Sequence, residues 1–300
     1  HDYTRRLLEC DPANQKERTR KLPTMNDEPV SFEPVPVPPP PERTAEEAPL
    51  IAVESAQVLF NIGSLFKRRT ITGVGGVSFE LYPGETLGLV GESGSGKSTL
   101  ARTMARLSHI SGGKVTFEGA SVHDLGAGAS QKQRRDVSVM FQVPIGSLSP
   151  RMKVGDLVAE PFRIHGITDI DIRAETDRLL TLAGLGPEFA SRFPHQLSGG
   201  QARRVGVARA IALKPKLIIA DEPTAGLDVS VQGGVLNLLN DLRDELGLAM
   251  VFITHNLHVV RHVADRIAVM KEGQFVEVGN TDVIFANPQH DYTKTLLAAN

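Results

Sequence analysis

Along residues 50–300 the spacing of apolar positions changes period several times, and each change predicts an element. LIAVESAQVLF (50–60), GVSFELY (76–82) and GKVTFEG (113–119) have strand-like patterning with turn residues at their edges. Elsewhere the apolar runs are too short for helices, and each is paired with a stretch of helical spacing. ETLGLVG (85–91) leads into STLARTMARL (98–107), PKLIIAD (215–221) follows ARRVGVARAIAL (202–213), and AMVFITH (249–255) follows VLNLLNDLRDEL (235–246). Strand and helix alternating in this way predict an α/β fold, with a largely parallel sheet and helices packed on it. Residues 154–193 have helical periodicity and no strand-like run, which predicts a helical insertion. RIAVMKEGQFVEVG (266–279) predicts two short strands around a turn at Lys271–Gly273.

Ahead of this region, residues 23–49 hold nine prolines in twenty-seven, including VPVPPPP at 35–41. Proline fixes φ and lacks an amide donor, so the stretch is expected to be extended, solvated and semi-rigid. An interdomain linker is the expectation, and a ligand for a proline-binding module is the alternative. The chain also begins with its own ending. HDYTRRLL (1–8) and HDYTKTLL (290–297) share six of eight positions, and so long a separation points to duplicated domains rather than a solenoid.

Composition narrows the classes. At 41% hydrophobic and 23% charged, 300 residues suffice for one large core or two small ones. A net charge of −2 and the absence of a dense basic block give no reason to expect nucleic acid. The single cysteine, Cys10, excludes an internal disulfide or a cysteine-built metal site, and fits a reducing compartment. No apolar run approaches the roughly 18–20 residues of a spanning helix.

Three strings carry candidate chemistry. GESGSGKST, comprising Gly91, Glu92, Ser93, Gly94, Ser95, Gly96, Lys97, Ser98 and Thr99, fits the phosphate-loop pattern between a predicted strand and a predicted helix. Glycines let successive amides turn toward phosphate oxygens, and the helix start adds positive potential. Lys97 supplies a point charge to the β- and γ-phosphates, and the Ser98 hydroxyl suits Mg²⁺. In LIIADE (217–222), Asp221 is the candidate metal-side acid and Glu222 the group that orients or deprotonates water. LSGGQ (Leu197, Ser198, Gly199, Gly200, Gln201) is a second small-residue loop ahead of a helix. One nucleotide uses both loops only if the fold, or a second domain, brings them together.

These motifs, in this order over about 50–300, resemble the ATPase domain of an ABC transporter. The resemblance implies a P-loop NTPase fold, RecA-like and mostly parallel, with an N-terminal antiparallel β subdomain and an inserted helical subdomain at about 144–200. It implies ATP and Mg²⁺ as ligands, with LSGGQ closing on ATP bound to a partner domain. It gives Gln142 the role of sensing Mg²⁺ and meeting the coupling helices, Asp228 communication across the dimer, and His255 the hold on the γ-phosphate. Phe60 is the candidate for stacking on adenine, with Leu59 and Phe66 as alternatives. His255, His258 and His262 could also form a metal face at i, i+3 and i+7. No second ligand cluster accompanies them, so His258 and His262 read as solvated helix residues.

GETLGLVGESGSGKSTLAR, GSLSPRMKVGDLVAEPFRIHG (146–166), FPHQLSGGQ and NPQHDYTKTLL resemble the ATPases of the oligopeptide, dipeptide and nickel importers. Three departures stand out: Val143 where an acid is usual, Ala202 where a longer polar residue is common, and Gly233–Gly234 at a predicted helix start. In that branch a His-x-Tyr-Thr segment with paired leucines ends the domain. Residues 1–10 therefore read as the tail of a preceding ATPase domain, 11–49 as linker and 50–300 as a second complete domain; a cloning artefact is the alternative. The implied partners are a second ABC ATPase domain, fused upstream, two transmembrane permease subunits and, indirectly, a periplasmic or lipid-anchored solute-binding protein. The implied place is the cytoplasmic face of the inner membrane. The competing function is a soluble ABC ATPase acting on ribosomes or DNA, a class that often carries charged arms or long coiled coils, which this chain lacks.

Overall fold

In the computed structural model, residues 2–15, 18–19, 21–25, 47–62, 69–124, 126–142, 146 and 148–299 are described. Phe66, Val143 and the VPVPPPP run lie outside them. The strands are β1 (Ile51–Ile62), β2 (Arg69–Leu81), β3 (Thr86–Val90), β4 (Gly112–Phe117), β5 (Ala120–Ser121), β6 (Val137–Met140), β7 (Leu217–Asp221), β8 (Ala249–Thr254), β9 (Arg266–Lys271) and β10 (Gln274–Asn280). The helices are α1 (Asp2–Glu9), α2 (Lys97–Met104), α3 (Ala127–Asp136), α4 (Val154–Ile164), α5 (Ile172–Leu182), α6 (Gly199–Ile211), α7 (Val229–Leu246), α8 (Leu257–Val263), α9 (Thr281–Ala286) and α10 (Asp291–Ala298). No helix among the described residues is long and apolar enough to cross a membrane. Contacts divide the chain into a first unit, His1–Val37 with Arg135–Leu248, and a second, Pro38–Arg134 with Ala249–Asn300.

The second unit contains an antiparallel sheet in the order β2-β1-β4-β5. Ile51 and Val53 are buried, two exposed residues follow, and burial resumes at Ala56 and Val58. The break in alternation is a bulge between Val53 and Ala56, with Ser55 at φ 46°. One extra residue restores the apolar face that strict alternation would have turned outward. The same unit holds β10-β9-β3-β8. There β3 runs parallel to β8 and to β9, while β10 closes antiparallel on β9. Every residue of β3 and β8 is buried, as suits strands covered on both faces. The turn expected at Lys271–Gly273 joins β9 to β10, with Gln274 opposite Lys271.

The first unit pairs β6 with β7 in parallel, Met140 opposite Ala220. Helices α4 and α5 and two 3₁₀ turns fill the region expected to be a helical insertion. Helix α7 begins at Val229, so Gly233 and Gly234 are internal. A Cβ on Gly233 would lie 3.1 Å from the Pro23 carbonyl oxygen. The glycine therefore admits a strap. Leu22 is buried, its N–H donates to Asn237 Oδ1 at 2.7 Å, and its carbonyl accepts from Asn237 Nδ2 at 2.8 Å. Leu22, within the expected 11–49 linker and just ahead of its proline-rich stretch, is docked on α7, because one asparagine side chain satisfies both of its backbone groups. The repeated octets fold alike, each starting a helix at its aspartate, Asp2 in α1 and Asp291 in α10.

Candidate nucleotide site

The glycine loop leaves the carboxyl end of β3 and enters α2 at Lys97. Gly96 caps the helix at φ 107°, and a Cβ there would collide with the Gly73 carbonyl oxygen. Only glycine tolerates both the backbone and the approach. The loop is tied from behind, where Gly273 N–H donates to the Ser95 carbonyl at 2.9 Å. Its other side is open, since a Cβ on Gly94 meets nothing within 4 Å. No side chain caps α2, so the helix start has its amides directed at the loop. Lys97 is buried, and its ammonium donates to the Gly91 carbonyl (2.8 Å), the Glu92 carbonyl (2.7 Å) and Ser95 Oγ (3.3 Å). A buried cation, an uncapped helix start and a glycine cradle open on one side form a donor set that fits a nucleotide's phosphates.

Two other candidates share this unit. Val90 lies opposite Thr254 in the parallel ladder, so the loop and His255 leave adjacent strand ends side by side. Ligands of parallel sheets bind at such carboxyl ends. Phe60 is 45% exposed, and a Cβ on Gly73 would lie 2.5 Å from Phe60 Cε2 and 3.3 Å from Thr99 Cγ2. The ring therefore covers Gly73 beside the first turn of α2. Leu59 is exposed as well, with its N–H donated to Ser111 Oγ at 2.9 Å. His262 corrects an expectation: it is 2% exposed, on the inner face of α8 with Val259 and Val263. His258 is half-buried.

In the first unit Asp221 ends the buried run of β7 and Glu222 follows it, both of them buried. Glu222 has φ 50°, a left-handed conformation that costs a non-glycine residue about 1–3 kcal/mol. Gln142 is exposed just beyond β6, and the β6–β7 register brings it out beside the same strand end. Ser198 caps α6, accepting the Gln201 N–H at 3.3 Å, while Gln201 Oε1 accepts the Ser198 N–H at 3.0 Å. This reciprocal pair fixes the start of LSGGQ without using the amides of Gly199 and Gly200. Ala202 is fully buried. Asp228 caps α7 through the Val231 N–H at 3.0 Å.

Arg203 was not among the candidates. It is 1% exposed, and its guanidinium donates to the carbonyls of Phe141 (3.3 Å), Gln142 (3.2 Å) and Ala225 (3.0 Å). Burial lowers its pKa, and the Glu222 charge opposes that shift. The side chain thus ties the residues just beyond β6, the strand paired with β7, to the turn beyond Glu222. Its signal in the sequence was faint: it sits on the helical stripe of Val207 and Ala210, both buried.

Phe60, the glycine loop and His255 belong to the second unit, and Gln142, LSGGQ, the acids and Asp228 to the first. A glycine loop between a buried parallel strand and a helix that opens on lysine defines the class: an α/β P-loop nucleotide-binding protein. The comparisons are more particular. Residues 74–225, just over half the chain, match the ABC transporter family, and 276–300 match the oligopeptide/dipeptide transporter C-terminal region. The chain belongs to the ABC transporter family, whose ATP-binding domains bind ATP with Mg²⁺ and hydrolyse it. It is 44% identical over 308 residues to the glutathione import ATP-binding protein GsiA of Salmonella paratyphi A, and equally so to that of Escherichia coli. These alignments cover 100% of the chain and 49% of the relative, so the chain spans about half the length of the curated relatives it matches. Among solved structures, the ATP-binding cassette MJ0796, dimeric and bound to ADP and Pi, superposes at TM-score 0.69 with 29% identity. That match covers 77% of this chain and 98% of the other. CbiO1 of Clostridium perfringens, part of an ABC transporter complex, gives 0.69 at 28% identity, covering 81% and 92%.

Proposed function

We propose that this chain is an ATP-hydrolysing cassette of an ABC importer for peptides or related small solutes. The observation that carries the reading is Lys97, buried at an uncapped helix start with its ammonium turned into the glycine loop. The loop 91–99 would bind the phosphates and Phe60 the adenine, and Ser98, Gln142 and Asp221 are the residues that would hold Mg²⁺. When bound, the ion would supply neutralisation of the phosphate charge. Glu222 orients or deprotonates the attacking water, and His255 holds the γ-phosphate. LSGGQ serves ATP bound to a second cassette, and Asp228 communicates between the two. The dimeric state of the similar cassette with bound ADP and Pi supports a pairing of two cassettes.

Residues 50–300 form the cassette in this reading, with 144–200 as its helical insertion, 11–49 the linker and 1–10 the end of a cassette fused upstream. Its support is the repeated octet, helical both times. The remaining partners are two permease subunits, reached through Gln142 and 146–166 at the cytoplasmic face of the membrane, and a solute-binding protein beyond them. The match at 276–300 and the relatives' names favour peptide-like cargo.

The test separates binding from turnover. Lys97→Ala is expected to lose Mg-ATP binding, because the phosphate charge is left uncompensated. Glu222→Gln is expected to keep binding and lose all but a residual turnover, of order 10²-fold or more. Equal hydrolysis by Glu222→Gln and the unmodified protein would remove Glu222 from its role.

A further inference from the structure

The carboxyl-terminal helix reaches back to the phosphate loop. The Tyr292 phenol oxygen accepts the Glu92 N–H at 3.1 Å, and the carbonyl of the same residue accepts from Lys97 Nζ at 2.7 Å. Glu92 is therefore gripped on both peptide sides, by α10 from without and by the phosphate-binding lysine from within. The ring is itself held in place. Glu277, on β10, accepts the Gln289 N–H at 2.9 Å on one oxygen and the His290 N–H at 3.1 Å on the other. His290 Nδ1 accepts the Tyr292 N–H at 3.1 Å, and the Lys271 ammonium lies 5.0 Å from the ring centroid. All of these residues belong to the second unit. Burial raises the Tyr292 pKa, and the Glu92 carboxylate adds to the shift against the opposing Glu92 N–H. At neutral pH the group is a phenol.

We propose that Tyr292 is a positioning residue for nucleotide phosphates: it fixes the Glu92 peptide so that the loop amides and Lys97 are set before ATP arrives. This rests on the ATP-binding reading of the loop. A loop ordered in advance loses less freedom on binding, and the gain appears as affinity. The effect belongs to the phosphate end of the ligand, because Glu92 is the second residue of the loop and its carbonyl accepts from Lys97. The repeated octet supplies an internal control. Tyr3 occupies the same place in α1, yet its side chain is 59% exposed.

The experiment measures binding of AMP, Mg-ADP and a Mg-bound non-hydrolysable ATP analogue to the 300-residue chain and its variants. Tyr292→Phe, which deletes one hydroxyl, is expected to weaken the ADP and ATP-analogue affinities roughly 3- to 10-fold. AMP affinity and thermal midpoint should stay as they were, a pattern that a merely structural tyrosine would not give. Glu277→Gln keeps the phenol and loosens its support, so it should weaken the same two ligands by a smaller factor. Tyr3→Phe should change nothing. Unaltered ADP and ATP-analogue binding in Tyr292→Phe, while Lys97→Ala abolishes it, would overturn the positioning role and leave the ATP reading intact. Unaltered binding in Lys97→Ala as well would overturn both.

Discussion

Glu222 and Arg203 are opposite cases at the scale of the residue. Glu222 is held in a conformation that glutamate avoids, at φ 50°, and its neighbours must offset that strain. Arg203 satisfies carbonyl oxygens at Phe141, Gln142 and Ala225 from a position with almost no solvent contact. Replacing it with methionine keeps the stem but leaves those acceptors short of donors, and should cost about 2–4 kcal/mol in urea unfolding. Lysine should not restore the loss, because a single ammonium cannot reproduce the planar fork. A lysine variant as stable as the original would show that the fork is unimportant. The loop, the acid pair and LSGGQ were legible because phosphate and metal chemistry dictates contiguous residue types. Arg203 and Tyr292 were not, since their partners lie 61 and 200 positions away along the chain.

Elements were legible wherever burial imposed a period. The unbroken apolar runs became β3, β7 and β8, and the alternating ones became β1 and β4. The bulge at Ser55 was hidden, because a one-residue insertion looks like ordinary noise in an alternating pattern. An internal glycine such as Gly233 costs its helix roughly 1 kcal/mol relative to alanine. Its purpose emerges only with the strap, since nothing in the local sequence reveals that Pro23 passes within reach. Asn237→Ala should therefore free the strap. Leaving the backbone groups of Leu22 unpaired costs on the order of 1–3 kcal/mol. The expected readout is loss of hydrogen-exchange protection at the Leu22 amide, together with faster proteolysis after Lys21. Protection equal to that of the unaltered chain would mean that the apolar contact of Leu22 alone holds the strap.

For the whole molecule, one phosphate loop and one LSGGQ lie on a single chain, and in the proposed mechanism they serve different nucleotides. Neither the sequence nor the contacts within one chain could fix that division; it rests on family membership and on the dimeric relative. An ATP held by one loop without a second cassette's LSGGQ stays wet on one side, where electrostatic stabilisation of the transition state is weak. A mixing experiment tests the claim directly. Lys97→Ala chains keep LSGGQ but lose the phosphate site, and Ser198→Arg chains keep the phosphate site but block the LSGGQ surface. Each alone should be inactive at every concentration. Mixed in equal amounts they can form pairs with one intact composite site, and ATP turnover should reappear and rise with chain concentration. Unreduced turnover from Ser198→Arg chains alone would contradict the account, because hydrolysis would then need no second cassette.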